Sequence, residues 1–280
     1  MSAFSVPLII RGRVIAGDVL THGGRGGGVS FTTPDLADHI GELPLSAPSA
    51  LADLYELSFD DILDYLEGLG ERLSYGQNAH LQEAYELSVQ TSGLGPDILR
   101  NCYENLGRVF DRRQVREMAD TLVGIPFLDG WVDIRRDDGY VASMRAFGAR
   151  SVHVVAGNVP TVSAITVIRN AVARSDAIIK TPSNDPLTAA AIARTMIDMA
   201  PDHPVTRHLS GAYWKGGDAR VEDALYQPRN IEKLVAWGGL ASITHIAKYI
   251  QPGIDLITLA YTFYDESARV TGFRPQRAGS

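Results

Sequence analysis

Apolar residues recur along this chain with two different spacings, and the change from one to the other divides it. Residues 5–33 alternate short apolar runs, VPLII and RVIAG, with the glycine cluster HGGRGGG, a pattern of short extended segments joined by a turn. A glycine-rich phosphate loop would need a helix directly behind it to present free N–H groups. VSFTTP follows instead, so the cluster reads as a turn. From Ser58 the spacing becomes helical: in SFDDILDYLEGLGERL, Ser58 is a candidate N-cap, Asp61 stands three residues on, and Ile62, Leu63, Leu66 and Leu69 share one face. Three more helices are predicted at HLQEAYELSVQ, DILRNCYENLGRVF and RRQVREMADTLV, separated by SGLGP and by the Asp111 region.

After Trp131 the pattern shifts to short extended segments, with a polar turn at Asp137, Asp138 and Gly139. Strand and helix then alternate: SVHVVA, TVSAITVIRNAVARS, DAIIK, PLTAAAIARTMIDMA, KLVAW, LASITHIAKYI and IDLITLA. Such βαβ repetition predicts an α/β fold, a Rossmann-type parallel sheet preceded by a mainly helical region. The organisation expected is an extended N-terminal arm over 1–50, a helical region over 51–130, a nucleotide-binding α/β region over 131–260 and a polar tail over 261–280.

Composition narrows the function classes. With 45% apolar residues the chain can bury a large core, and no run of about 18 apolar residues suggests a membrane span. The start, MSAFSVPLIIRGR, lacks a secretory pattern, so a cytoplasmic protein is expected. A net charge of −7 with no basic cluster argues against a nucleic-acid partner. One cysteine, Cys102, excludes an internal disulfide and a cysteine-rich metal site, and the histidines show neither zinc spacing nor a triad, so no metal is expected. Only four lysines are present, at 180, 215, 233 and 248, which singles out Lys180 at the end of DAIIK.

In an open parallel sheet, ligands bind beyond the carboxyl ends of the strands. Three loops qualify: AGNVPT with Gly157 and Asn158, KTPSNDP with Lys180, Pro182 and Ser183, and WGGLAS with Trp237, Gly238 and Gly239. Three loops on one edge suit an extended ligand such as a dinucleotide. No GxGxxG follows the first strand, so a plain α/β domain stays open as an alternative.

The stretch from Val152 to Ala193 is similar to the nucleotide-binding region of the aldehyde dehydrogenase superfamily. LDGWV, RAFGARSVHVVAGN, AYWKGGD and VAWGG resemble recurring phrases of its luminescence-type fatty acyl-CoA reductase branch. The resemblance runs from about Tyr55 to about Leu259, with most of its specificity between Leu128 and Gly239. It implies NADPH-dependent reduction of a fatty acyl thioester to the aldehyde. It also implies that Lys180 hydrogen-bonds the adenosine ribose and that Asn158 supports the oxyanion of the thioester carbonyl. Gly157, Pro182 and Ser183 would line the cofactor, with Trp237, Gly238 and Gly239 near its pyrophosphate. Ser183 stands where many NAD-preferring relatives carry an acid, which tilts the cofactor toward NADP although Asp185 is close.

The chemistry of that branch runs through a thiolate that forms an acyl-enzyme. Cys102 lies in the helical half, reads as a small buried apolar group, and is not expected to serve. The chain is therefore expected to be truncated before the catalytic cysteine, and inactive or incomplete alone. The alternative is a non-catalytic nucleotide-binding fragment or assembly partner of a complete reductase, with a protein partner or a homo-oligomer as its context. A third reading makes residues 55–123 a protein-binding module.

Overall fold

The computed structural model describes residues 4–23 and 28–260; the expected tail over 261–280 and the centre of the glycine cluster lie outside the described residues. The N-terminal segment supplies five short strands: β1 (Phe4–Ser5), β2 (Leu8–Ile10), β3 (Arg13–Ile15), β4 (Leu20–Gly23) and β5 (Ser30–Thr33). Helices follow as α1 (Ala52–Glu56), α2 (Phe59–Arg72), α3 (Ala79–Thr91), α4 (Pro96–Glu104), α5 (Arg112–Leu122) and α6 (Ile125–Asp129). Strands β6 (Val132–Arg135) and β7 (Val141–Met144) make an exposed hairpin around Gly139. The alternating part then runs β8 (Arg150–Val154), α7 (Thr161–Val172), β9 (Asp176–Lys180), α8 (Thr188–Met199), α9 (Pro204–Arg207), β10 (Leu209–Ala212) and α10 (Ala219–Leu225). It closes with β11 (Lys233–Gly238), α11 (Leu240–Ala247) and β12 (Asp255–Ala260).

The main sheet has seven strands in the order β12-β11-β8-β9-β10-β2-β3. The five strands from β8 onward pair in parallel, as the alternating pattern predicts. The extended arm goes further than expected. Its β2–β3 hairpin is built into the sheet, antiparallel to β10, because the LII run of β2 is apolar on both faces and must be covered. A second small sheet, β1-β5-β4, stands beside it. One further departure is β10: Leu-Ser-Gly-Ala has no β-branched residue and gives no strand signal, yet it is wholly buried between β9 and β2.

Side chains alternate across the sheet. Ala177 and Ile179 of β9 join one core with α2, α3, α7 and α8, while Ile178 joins a second core with α10, Leu36, Leu43 and Ile246 of α11. Ser58 and Asp61 form the predicted capping box of α2: Asp61 N–H donates to Ser58 Oγ at 3.1 Å, and Ser58 N–H donates to the Asp61 carboxylate at 2.9 Å. The apolar stripe of α2 faces the first core.

A single cation fastens the helical layer to the sheet. Arg174, in the turn between α7 and β9, is 1% exposed and left-handed in φ (52°). Its guanidinium donates to the carbonyls of Leu54 (3.2 Å), Leu128 (2.7 Å) and Leu57 (2.9 Å), and to Asp129 Oδ1 at 2.7 Å. Asp129 Oδ1 also accepts from Phe59 N–H at 2.7 Å, at the first residue of α2. The backbone of Gly148 passes so close that a Cβ there would lie 2.0 Å from Arg174 O.

Replacing Arg174 with methionine keeps the volume but strands two buried carbonyls and one half-buried one. Arg174→Met is expected to lower unfolding free energy by about 3–5 kcal/mol, read from urea denaturation. A loss within experimental error would show that Arg174 does not clamp the two layers.

Candidate functional site

Parallel register brings the strand ends into one row. Val154 of β8, Lys180 of β9 and Ala212 of β10 stand side by side, and Ala236 of β11 continues the line. The next residues leave together: Val155 N–H donates to Lys180 O at 3.2 Å and Thr181 N–H to Ala212 O at 2.9 Å. The chain passes from β8 to β9 on one side, whereas β11 lies on the other side of β8. The loops after β8 and β11 thus diverge, which makes the β8/β11 boundary the topological switch point of the sheet.

The loops after β8 and β9 are stitched to each other. Gly157 is buried, and its carbonyl accepts from Asn184 Nδ2 at 2.9 Å. A Cβ at 157 would sit 2.1 Å from Asn184 Oδ1 and 2.8 Å from Pro182 Cγ, so only glycine lets the two loops meet. Asn158 follows directly and is exposed, on the loop that leads into α7.

Lys180 and Ser183 line a cleft of about 430 Å³, together with Tyr213, Trp214, Lys215 and Gly216 from the loop after β10 and Thr21, His22 and Gly23 from β4. The Lys180 ammonium lies 5.4 Å from the ring centre of Trp214 and 5.9 Å from that of Tyr213. Burial lowers its pKa to about 8, against a smaller opposing pull from Glu222. His22 packs edge-on to Tyr213, with ring centres 4.7 Å apart, and meets Thr33 Oγ1 at 3.1 Å. Burial, with a contribution from the charge of Lys215, holds His22 below the usual histidine range, against the pull of Asp218 and Asp35.

The acids around this cleft are otherwise engaged. Arg220 pairs with Asp35 at 3.0 Å and with Asp218 at 2.9 Å. Glu222, fully buried, accepts from Gly217 N–H at 3.1 Å and sits 2.6 Å from His245 Nε2. Asp185, near Ser183 in sequence, is buried; it accepts from the Thr188 hydroxyl and N–H, and burial raises its pKa. Among the described residues neither Lys180 nor Lys215 has a carboxylate within ion-pair distance. Two lysines without an ion-pair partner among the described residues thus face one cleft, in a chain whose net charge is −7.

The other sequence candidates stand apart from this cleft. Trp237 and Gly238 end β11, and Gly239 is the N-cap residue of α11, beyond the switch point from Lys180. The Trp237 ring lies under the Arg169 guanidinium at 5.7 Å. Sequence reasoning missed Thr21, His22, Tyr213, Trp214 and Lys215 as cleft residues. AYWKGGD was noticeable as a phrase, but β10, the strand that aims it, gives no local signal.

Cys102 is on α4, partly buried, and burial alone raises its thiol pKa. His153 is buried inside β8 with Nε2 3.1 Å from Asn170 Oδ1, and burial pushes it down to about 4. His208 lies between Asp53 (2.8 Å) and Asp176 (3.0 Å) at the opposite end of the strands. Among the described residues no group of three potential ligands could hold a metal, and no helix is long and apolar enough to cross a membrane.

A family model described as Acyl-CoA reductase (LuxC) matches residues 54–261. The chain belongs to this family. Among curated relatives, the long-chain acyl-protein thioester reductase of Photorhabdus luminescens is 39% identical over 132 residues, 46% of this chain and 26% of that protein. The enzyme of the same name from Photobacterium phosphoreum is 32% identical over 205 residues, 72% of this chain and 41% of that protein. The chain thus spans well under half the length of these relatives. Among solved structures, it resembles an NADP-dependent glyceraldehyde-3-phosphate dehydrogenase from Bacillus halodurans C-125, with a TM-score of 0.71 at 12% identity, over 92% of this chain and 53% of that one. An NAD-dependent benzaldehyde dehydrogenase from Corynebacterium glutamicum gives 0.69 at 13% identity, over 91% of this chain and 54% of that one. The fold is that of the aldehyde dehydrogenases, as the resemblance implied.

The contact at Gly157 is directly testable. Gly157→Ala forces the first two loops apart and is expected to cost about 1–3 kcal/mol in urea unfolding. Asn184→Ala in the same chain should recover part of the loss, since it removes the atoms that clash; no recovery would mean the loops are not in contact.

Proposed function

We propose that this chain is the cofactor-holding part of an NADPH-dependent reductase of long-chain acyl thioesters. The observation that carries the reading is the Lys180 ammonium, desolvated at a strand end, facing a cleft and unpaired with any carboxylate among the described residues. Burying a cation without a counter-charge is unfavourable, and a polyanionic ligand would reverse that. Membership of the acyl-CoA reductase family and the names of its relatives supply the substrate class.

The residues fit a dinucleotide. Lys180 would hydrogen-bond the adenosine ribose, and Ser183 and Pro182 would border it without offering a repelling charge, because Asp185 is turned into the core. Gly238 and Gly239 would let the backbone approach the pyrophosphate near the N-terminus of α11. Asn158 would donate from its side-chain amide to the thioester carbonyl oxygen as negative charge develops there. When bound, the nicotinamide supplies the hydride that reduces the acyl group.

The covalent step requires a thiolate, and the one cysteine of the chain has neither the position nor the activation for it. A second reading is that the chain binds nucleotide as a non-catalytic fragment or assembly partner of a complete reductase. Consumption of NADPH on addition of a long-chain acyl-CoA to the purified chain separates the two. Turnover abolished by Cys102→Ser would overturn the assignment of Cys102 as structural.

NADPH binding followed by nicotinamide fluorescence should be micromolar and should prefer NADPH to NADH. Lys180→Ala is expected to weaken it about 10- to 150-fold, the 1.5–3 kcal/mol of a charged hydrogen bond. Because Lys180 loses its proton near pH 8, affinity should be highest below that pH and fall as pH rises through it, with the fall absent in the variant. Affinity indifferent to the substitution would refute the role given to Lys180.

A further inference from the structure

Resting on that reading, we infer that Lys215, with His22 opposite it on β4, forms the end of the cleft that takes a phosphate monoester on the adenosine ribose. The pair thereby sets the preference for a phosphorylated nucleotide. The two residues come from distant parts of the chain. Lys215 belongs to the loop after β10, and His22 to the small N-terminal sheet, which lies outside the residues matched by the family model.

Three observations support the inference. First, the cleft holds two ammonium groups, and one of them is enough for the ribose hydroxyls; Lys215 is exposed at the mouth and has no carboxylate partner among the described residues. Second, the acids named around the cleft have partners of their own among the described residues: Asp35 and Asp218 pair with Arg220, Glu222 accepts from the Gly217 N–H and meets His245, and Asp185 is buried against Thr188. A cation kept free while its neighbours are paired is available to an incoming dianion. Third, His22 is held in place by Tyr213, Phe31 and Thr33, so it meets a ligand as a fixed wall.

A phosphate monoester on adenosine could belong to NADP, at the 2′ position, or to coenzyme A, at the 3′ position. The probes are therefore 2′,5′-ADP, 3′,5′-ADP and 5′-AMP, titrated calorimetrically into the full chain at pH 7, where Lys180 is charged. The expected result is that 2′,5′-ADP binds at least about tenfold tighter than 5′-AMP, as one added charged contact allows. Lys215→Gln should erase most of that ratio, and His22→Asn part of it. Lys180→Gln should weaken 2′,5′-ADP and 5′-AMP alike and leave the ratio standing.

A wild-type preference for 3′,5′-ADP that vanishes in Lys215→Gln would support the phosphate-monoester site and assign it to coenzyme A. A 2′,5′-ADP preference that survives Lys215→Gln would overturn the inference while leaving the cofactor reading intact. Failure of all three nucleotides to bind a folded chain would overturn both. Lys215 is exposed, so the variant should fold, and an unchanged thermal transition verifies it.

Discussion

The Arg174 guanidinium is the point on which the two halves of this molecule turn. Apolar packing of α1, α2 and α6 against the sheet fixes area but not orientation. At the guanidinium, three carbonyls and one carboxylate from the helical layer converge on a single planar donor set. Shorter polar bridges lock the same layer further out. Tyr103 OH lies 2.9 Å from Ser88 Oγ and 2.6 Å from Thr188 Oγ1, and Asn78 donates to Thr195 Oγ1 at 2.9 Å. These tie α3 and α4 to α8, the helix that follows the Lys180 loop.

Charge is distributed unequally between the two ends of the strands, and the inequality separates structure from function. At the amino ends, Arg150 pairs with Glu232, Lys233 with Asp255, and Arg11, Asp176, His208 and Asp53 form a continuous chain. Each charge there is answered within the fold. At the carboxyl ends Lys180 and Lys215 have no such partner among the described residues. The same sheet thus carries a continuous chain of ion pairs at its amino end and, at its carboxyl end, two lysines that lack one among the described residues.

Local patterns were legible in the sequence where local forces decide the outcome. The capping box at Ser58 and Asp61, the stripe of α2, the turn at Gly139 and the alternating strands and helices after Arg150 are all set by neighbours a few residues away. β10 and the insertion of β2 were not, because both are imposed by burial between strands distant in sequence. The site divides in the same way. Lys180, Ser183 and Gly157 lie in loops that a parallel sheet must place at its carboxyl edge, and the scarcity of lysine drew attention to the first. His22 and Lys215 carry no local mark, since what makes them a pair is that β4 folds back over the loop after β10. Trp237, Gly238 and Gly239 were expected with Lys180 but stand on the far side of the switch point, where a ligand would have to span β8 to reach both.

The close approach at Gly157 has a mechanical consequence. With Asn184 bonded to the Gly157 carbonyl and Pro182 packed beneath, the loops carrying Asn158 and Ser183 form one stiff bank. Across the cleft, His22 on β4 is braced in turn by Tyr213, Phe31 and Thr33. Hydrogen exchange in this protein should accordingly be slow behind Gly157, and a ligand arriving in the cleft meets a bank whose two loops can only move as one.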